Sequence, residues 1–261
     1  MSIITLITDW GTDGAYVGAF KGAILQKTQN LNFIDIAHNI KPYDKIHAAY
    51  ILRNTYNSFP KGSIHIICVG GNQDNPKTEF VVFEMDNHYF IGKNDGIWGL
   101  VFNTPPSNIR KLNLSEKHIE HAFVELSLIP EIINQITLQK SVDTIGEPFT
   151  KLIIRNRQLP AVTANTIIGE IAYFDNFGNA VTNISKDDFE RIHKGRKHKI
   201  QVASIRNNIF FINSAYDETE RGDILAIWNY TGFLEIAIAD GSAQDLLNLT
   251  VTNSVRIVFT E

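Results

Sequence analysis

The sequence contains little sulfur, no surplus of positive charge and no long apolar run. Only one of its 261 residues is cysteine, Cys68, which excludes an intrachain disulfide and fits a reducing cytoplasm. Lys and Arg number 24 against 28 Asp and Glu, and the net charge of −4 argues against a general nucleic-acid binder. No apolar stretch approaches the roughly 20 residues that span a bilayer, and the N-terminus lacks a secretory pattern. We therefore expect a cytoplasmic globular protein with neither nucleic-acid nor membrane partners.

The first half of the chain alternates strand-like and helix-like segments. Apolar runs predict strands, and apolar residues at helical spacing predict helices. Strands are expected at residues 3–8, 33–36, 63–69, 80–85 and 88–91, and helices at 16–27, 42–56 and 129–138. This alternation is typical of an α/β domain in which helices cover a mainly parallel sheet.

The second half consists of short strand-like segments separated by Gly, Asn and Asp turns, a pattern that favours an antiparallel barrel or sandwich. Strands are expected at residues 169–174, 181–184, 199–202, 209–212, 224–228, 233–238 and 255–260, with helical turns at 187–193 and 243–247. Between the halves, the stretch with Pro148 and Pro160 shows no periodicity. We expect an N-terminal α/β domain over residues 1–148, a linker over 149–166 and a C-terminal β-barrel domain over 167–261.

The first strand is followed by a candidate binding residue, Asp9. Open α/β sheets bind ligands at the carboxyl ends of their strands, and a carboxylate there can hold the two hydroxyls of a ribose. The alternative is a helix N-cap or turn residue. Gly14, Gly18 and Gly22 follow at steps of four, which suits either helix–sheet packing or the close approach of a backbone or flat ligand.

Two further candidate segments lie in the second half. Residues 169–184 combine Asp175, Phe177 and Asn179 in a strand–turn–strand pattern. The amide of Asn179 offers the donor and acceptor that a purine edge requires, and Phe177 can stack on a flat ring. The alternative is an ordinary hairpin turn. Glu235 stands in an apolar strand of a second hairpin, and its alternative interpretation is a core hairpin without a ligand.

Several motifs occur together in a fixed order along nearly the whole chain. They are TDWG, YVGAFKG, IDIAH (34–38), PYDKIHAA (42–49), FPKGSIHI (59–66), DNFGNAVTNI (175–184), and LEIA (234–237) followed by GSA (241–243). In this order they resemble the adenosyl-forming hydrolases and halogenases of S-adenosyl-L-methionine (SAM). The chain is therefore identified as a member of the SAM hydroxide adenosyltransferase family.

The resemblance implies an activity, an assembly and a set of binding residues. The implied reaction is displacement by water at the C5′ carbon of SAM, giving adenosine and methionine, with SAM as substrate or ligand and no cofactor. The implied assembly is a homotrimer that holds the nucleoside between the N-domain of one subunit and the C-domain of its neighbour. Asp9 resembles the ribose carboxylate and Tyr216 an adenine-stacking ring. The implied substrate-binding residues are Asp9, Asp13, Asp175, Phe177, Asn179, Tyr216 and Tyr230.

The chain departs from the family pattern where the family activates water and holds methionine. Gly70 stands at the position of the family's Asp, Lys77 at that of its Arg, and Phe123 at that of its His. Tyr230 replaces a serine thought to hold the methionine carboxylate, and residues 93–96 read KNDG in place of PDNG. Glycine and phenylalanine side chains cannot accept a proton, so the chemistry expected of these positions changes.

Two nearby residues offer substitutes for the missing groups. Asp74 lies in the altered loop and His121 two residues from the expected histidine, so the catalytic candidates are Asp74, Lys77 and His121. His118 and His121 lack a third ligand at metal-site spacing, so no metal is expected. The alternative function is a non-catalytic adenosine- or SAM-binding paralogue that retains the nucleoside pocket.

Overall fold

The structure is a computed structural model that describes residues 2–70, 79–119, 123–202 and 208–260. The chain divides into two compact units, Met1–Arg157 and Gln158–Glu261. No helix within the described ranges is long and apolar enough to cross a membrane. The domain limits expected from the sequence stay a prediction, and Phe149 and Leu152 of the expected linker pack on the core of the first unit.

The first unit is an α/β sandwich built on one seven-stranded sheet of order β2-β1-β3-β5-β4-β6-β7. Its strands are β1 (Ser2–Thr8), β2 (Leu31–Ala37), β3 (Ile64–Cys68), β4 (Phe80–Met85), β5 (His88–Lys93), β6 (Ile109–Lys111) and β7 (Glu147–Pro148). The helices are α1 (Ala15–Lys27), α2 (Lys45–Thr55), α3 (Ile97–Val101), α4 (Glu116–Ile119) and α5 (Glu125–Gln139), with a 3₁₀ turn at Tyr56–Ser58. The pairs β1·β2, β1·β3 and β3·β5 are parallel, whereas β4, β6 and β7 extend the sheet in antiparallel fashion.

Alternate residues of the central strands face two different cores, which explains their continuous apolar runs. Ile64 and Ile66 of β3 pack with α1 and α5, whereas Ile67 packs on the opposite face with α2 and α3. Asp86 and Asn87 form the hairpin turn between the expected strands 80–85 and 88–91, with both residues at positive φ as a tight two-residue turn requires. This double covering confirms the expected mainly parallel α/β class.

The second unit is an antiparallel sheet curled into a half-barrel, which confirms the expected β class. Its strands are β8 (Ala161–Val162), β9 (Thr166–Phe174), β10 (Ala180–Ser185), β11 (Lys197–Val202), β12 (Ile224–Trp228), β13 (Phe233–Ile238) and β14 (Ser254–Thr260). The helices are α6 (Lys186–His193) and α7 (Ala243–Leu246), with a 3₁₀ turn at Tyr216–Glu218. The long strand β9 pairs with β14 through its first half and with β10 through its second, so it joins the two parts of the sheet.

Two sequence expectations are wrong in detail. The expected strand at residues 209–212 forms only a single bridge, Ile209 to Ile200, and Phe210 and Phe211 are exposed rather than paired in a sheet. Ile209 is buried in the core and Ile212 packs against it, whereas the two phenylalanines between them point outward without a partner strand among the described residues. The helix–sheet packing considered for the glycine stripe is also wrong, because a Cβ at Gly18 or Gly22 would meet no described atom within 4 Å.

Candidate functional site

The carboxyl ends of three neighbouring parallel strands carry the polar groups of the first unit. Asp9 follows β1, Gly70 lies two residues beyond β3, and Lys93 ends β5. Because parallel strands end at the same edge of a sheet, the fold brings these three positions together where α/β sheets bind ligands.

Asp9 connects two loops through a single carboxylate oxygen. Its Oδ2 accepts hydrogen bonds from the backbone N–H of Tyr43 at 3.0 Å and from that of Gly70 at 2.9 Å. Neither bond occupies Oδ1. The N-cap of α1 is Gly14, so the alternative of Asp9 as a helix cap is wrong. The two bonds to Oδ2 thus fix the carboxylate at the strand end, and Oδ1 takes no part in them.

Gly70 occupies a position that disfavours a side chain. Its φ is +91°, in the left-handed region that favours glycine, and a Cβ there would lie 3.1 Å from Lys45 Cε. Its carbonyl accepts a hydrogen bond from Lys93 Nζ at 3.1 Å. The positive φ and the nearby Lys45 side chain therefore disfavour a residue with a carboxylate at this position.

Two buried ion pairs surround this glycine. Lys45 Nζ lies 2.9 Å from Asp95 Oδ2, and Lys93 Nζ lies 2.8 Å from Glu125 Oε1. Asp95 also accepts from the N–H of Ile97 at 3.3 Å, which begins α3. Each lysine is thus balanced by one carboxylate, whereas the two hydrogen bonds of Asp9 to backbone amides bring no positive side chain.

Phe123, on the segment that precedes α5, packs against two other aromatic rings. Phe123 contacts Trp10 with ring centroids 4.8 Å apart and Tyr16 with centroids 5.2 Å apart. The residue at the family's histidine position therefore belongs to an aromatic cluster with the residue that follows Asp9.

Asp13 is exposed on the loop before α1, where its carboxylate accepts from the Thr12 hydroxyl at 3.2 Å.

In the second unit, Asp175 organises the turn between β9 and β10. Its Oδ1 accepts from the N–H of Phe177 and of Asn179, and its Oδ2 accepts from Asn179 Nδ2 at 3.0 Å. Gly178 has a φ of +79°, and a Cβ there would clash with Ser242. The amide donor of Asn179 is thus engaged within the turn, whereas the Phe177 ring is 78% exposed. The turn interpretation accounts for Asp175 and Asn179, and Phe177 is presented outward.

Glu235 is the buried acid of the second unit. It is only 3% exposed on β13, and its Oε1 accepts from the Tyr216 hydroxyl at 2.6 Å while Oε2 accepts from Asn229 Nδ2 at 3.4 Å. Burial raises the pKa of Glu235, and the nearby Asp175 carboxylate adds to the rise. Burial and the hydrogen bond to Glu235 also raise the pKa of Tyr216. The Tyr216 ring is therefore held by its hydroxyl while almost half of the residue stays exposed.

The remaining predicted residues are either exposed, hydrogen-bonded to neighbouring side chains or outside the described ranges. Tyr230 is 87% exposed at the turn between β12 and β13. Asp74, Lys77 and His121 lie outside the described residues. His118 is bonded to Ser115 and lies 3.2 Å from Glu131. No three His, Cys, Asp or Glu side chains within the described ranges are arranged to hold a metal ion.

Sequence reasoning missed Lys45 and Glu125 and recognised Lys93 only as a motif change. The available signal was a charge inside an apolar pattern. Lys93 ends the strand HYFIGK, and Glu125 stands in the apolar stretch that becomes α5. A lone charge in each of two buried elements is a sign that the charges pair.

Family comparisons place the chain in a defined class. The model of the SAM hydroxide adenosyltransferase N-terminal domain matches residues 4–146, and that of the SAM hydroxide adenosyltransferase C-terminal domain matches residues 169–256. The chain belongs to the SAM hydroxide adenosyltransferase family, and the resemblance noted in its motifs is confirmed.

Curated relatives and solved structures cover the whole chain. It is 27% identical over 269 residues to the (R)-S-adenosyl-L-methionine hydrolase of Methanocaldococcus jannaschii, covering 99% of this chain and 97% of that one. It is 21% identical to a protein of the same name from Thermus thermophilus, covering 99% and 100%. An uncharacterized conserved protein from Thermotoga maritima shares the fold with a TM-score of 0.84, at 22% identity and with 99% and 100% coverage.

Proposed function

We propose that this protein hydrolyses SAM to adenosine and methionine by displacement at C5′. The observation that carries the proposal is the fixed carboxylate of Asp9 at the end of β1, with one oxygen bonded to two loops and the other outside these bonds. The two oxygens of a ribose diol suit such an acceptor. Family membership over both units supports the same substrate.

The reaction requires little acid–base catalysis by the protein. A water oxygen forms a bond to C5′ while the C5′–S bond breaks, and its electron pair stays on sulfur. Methionine leaves as a neutral thioether, so no general acid is needed, and the attacking water passes one proton to solvent or to the group that orients it. The enzyme contributes by orienting the water and by excluding competing solvent.

The charge of the strand edge suits a cationic substrate. SAM carries a permanent positive charge on sulfur, whereas adenosine carries none. Lys45 and Lys93 are each paired with a carboxylate, whereas the two hydrogen bonds that Asp9 accepts come from backbone amides. Opposite charges attract, so the Asp9 carboxylate favours the sulfonium over a neutral or anionic nucleoside.

A second candidate function is nucleoside binding without catalysis. Gly70 stands in a backbone conformation that disfavours any side chain, and Phe123 is part of an aromatic cluster. Two of the three positions at which the family activates water therefore carry no proton acceptor. Under the hydrolase proposal, Asp74, Lys77 or His121 supplies the group that orients the water.

The decisive experiment incubates the purified protein with SAM and separates adenosine and methionine by chromatography. Both sulfonium epimers are supplied, because the curated relatives carry the (R) designation. Stoichiometric adenosine and methionine, reduced in an Asp9→Asn variant, support the hydrolase. Absent turnover with measurable calorimetric binding of adenosine supports the binding protein instead. Failure to bind either compound contradicts both functions.

The proposal includes an assembly and a location. The family resemblance supports a homotrimer whose sites lie between subunits, and the single cysteine fits a cytoplasmic location. SAM serves as substrate or ligand and not as a cofactor. Light scattering at the protein concentrations of the activity assay tests the trimer, since a monomer with full activity would contradict an inter-subunit site.

A further inference from the structure

An unbroken chain of polar contacts crosses the carboxyl edge of the first sheet and ends at Asp9. Glu125 Oε1 lies 2.8 Å from Lys93 Nζ, and the same ammonium donates to the Gly70 carbonyl at 3.1 Å. The N–H of Gly70 in turn donates to Asp9 Oδ2 at 2.9 Å. The backbone of Gly70 is thus held by a lysine at its carbonyl and by a carboxylate at its amide.

The position needs such restraint because it is a glycine. Glycine has access to more backbone conformations than other residues, so its own geometry does little to fix the neighbouring peptide groups. Hydrogen bonds at both the N–H and the carbonyl supply the order that a side chain would otherwise impose. The Gly70 N–H, together with that of Tyr43, sets where Asp9 Oδ2 is held, and therefore where Oδ1 lies.

Stability alone gives no reason for a charged pair here. The side chains of Lys93 and Glu125 are only 7% and 5% exposed, and burial of two charges costs several kcal/mol per ion before their attraction repays it. The Phe80 ring centroid lies 5.5 Å from the ammonium, and Leu128 and Ile129 of the same helix as Glu125 belong to the apolar core. Apolar residues of similar volume often serve such a place equally well or better.

We propose that Lys93 and Glu125 are positioning residues for the nucleoside ligand. Glu125 holds the ammonium of Lys93, Lys93 holds the Gly70 carbonyl, and the Gly70 amide orients the carboxylate of Asp9. The pair acts on the ligand through Asp9 and does not touch it. This inference rests on the proposed function in one respect, namely that Asp9 is the group that binds the ribose.

The test replaces the pair with apolar residues in the full-length protein. The Lys93→Met/Glu125→Met variant removes both charges together, so folding is expected to survive with an unchanged or higher Tm. Its Gly70 amide should exchange with solvent at least about tenfold faster than in the unsubstituted protein, because loss of the donor to the Gly70 carbonyl lets the backbone that holds the N–H against Asp9 open more often. The affinity for adenosine should fall by about tenfold, or the KM for SAM should rise by about tenfold, with a smaller change in kcat.

Two further variants separate positioning from general structure. The Lys111→Met/Glu79→Gln control removes a half-exposed ion pair of the same sheet, and its Gly70 exchange and ligand affinity should stay unchanged. The Glu125→Gln variant keeps an oxygen acceptor for Lys93 but removes its counter-charge, so its adenosine affinity should fall less than that of the dimethionine variant. Should the dimethionine variant not fold, Lys93→Gln/Glu125→Gln replaces it, because the glutamine is too short to reach the Gly70 carbonyl.

The outcomes distinguish this inference from the proposed function. Unchanged Gly70 exchange in a folded double variant would overturn the inference, as would equal losses of affinity in the control. Gly70 exchange is measured on the unliganded protein, so the positioning network is tested even if the protein neither binds adenosine nor cleaves SAM. A protein that neither binds adenosine nor cleaves SAM would contradict the proposed function but would leave the Gly70 exchange result as a separate test.

Discussion

The buried histidines of the first unit predict a specific loss of stability in mild acid. His65 lies on β3, fully buried, with Nδ1 2.7 Å from the Thr5 hydroxyl and Nε2 3.1 Å from Nδ1 of His88. Burial, with a smaller repulsion from His88, lowers the pKa of His65 to about 3. The folded protein therefore holds this ring neutral throughout the range in which a free histidine gains its proton.

The sign and size follow from proton linkage. The unfolded chain binds a proton near pH 6.5 and the folded chain does not, so stability is complete above that pH and declines as the pH falls toward 3. At pH 5 the unfolded state gains about 2 kcal/mol from protonation of this one side chain, relative to pH 7.5. Burial lowers the pKa of His47, His88 and His198 in the same direction, so the total loss is larger.

The assay is urea unfolding at pH 7.5 and pH 5.0, followed by tryptophan fluorescence. The His65→Gln variant keeps a hydrogen-bonding side chain beside Thr5 and removes the titration. Its loss of stability between the two pH values should be about 2 kcal/mol smaller than that of the unsubstituted protein. Equal losses in the two proteins, or an NMR titration of the His65 ring near pH 6.5, would refute the reasoning.

Three further predictions concern the candidate site. Gly70→Ala should lower the free energy of unfolding by about 1–2 kcal/mol in urea titrations, because alanine is strained at positive φ and its Cβ crowds a lysine side chain; an unchanged midpoint would contradict this. Tyr216→Phe should cost about 1–3 kcal/mol in the same measurement, because it leaves an oxygen of buried Glu235 without its donor, and a neutral effect would count against that contact. Phe123→His should raise SAM turnover in the chromatographic assay, because it restores a proton acceptor beside Trp10, and an unchanged rate would exclude this position from water activation.

The sequence predicted the elements in which local chemistry and burial agree. Strand β1 is a continuous apolar run because both of its faces are covered, and the Asp86-Asn87 turn was recognisable because both residues tolerate positive φ. Residues 209–212 follow the same apolar pattern, but Phe210 and Phe211 are exposed and only one bridge forms. A periodic pattern cannot tell whether a partner strand exists for a segment, so this expectation was wrong.

The candidate site was predictable only at the positions that a motif marks. Asp9 could be placed at a strand end from the order of the elements alone. The pair Lys45–Asp95 could not be predicted, because it joins residues far apart in the chain that meet only when the sheet is assembled. For Lys93–Glu125 the sequence shows a lone charge in each of two apolar segments but not that the two segments meet. The positive φ of Gly70 could likewise not be predicted from the sequence.

The central claim is that the carboxylate of Asp9 binds the ribose of an adenosine compound. Calorimetric titration of adenosine into the protein and into its Asp9→Asn variant tests it most directly. Asparagine keeps the size of the side chain and one oxygen acceptor but loses the charge and half of the acceptor capacity. The account predicts measurable binding that weakens by at least about tenfold in the variant, as for a charge-assisted hydrogen bond. Equal affinities in the two proteins would contradict it.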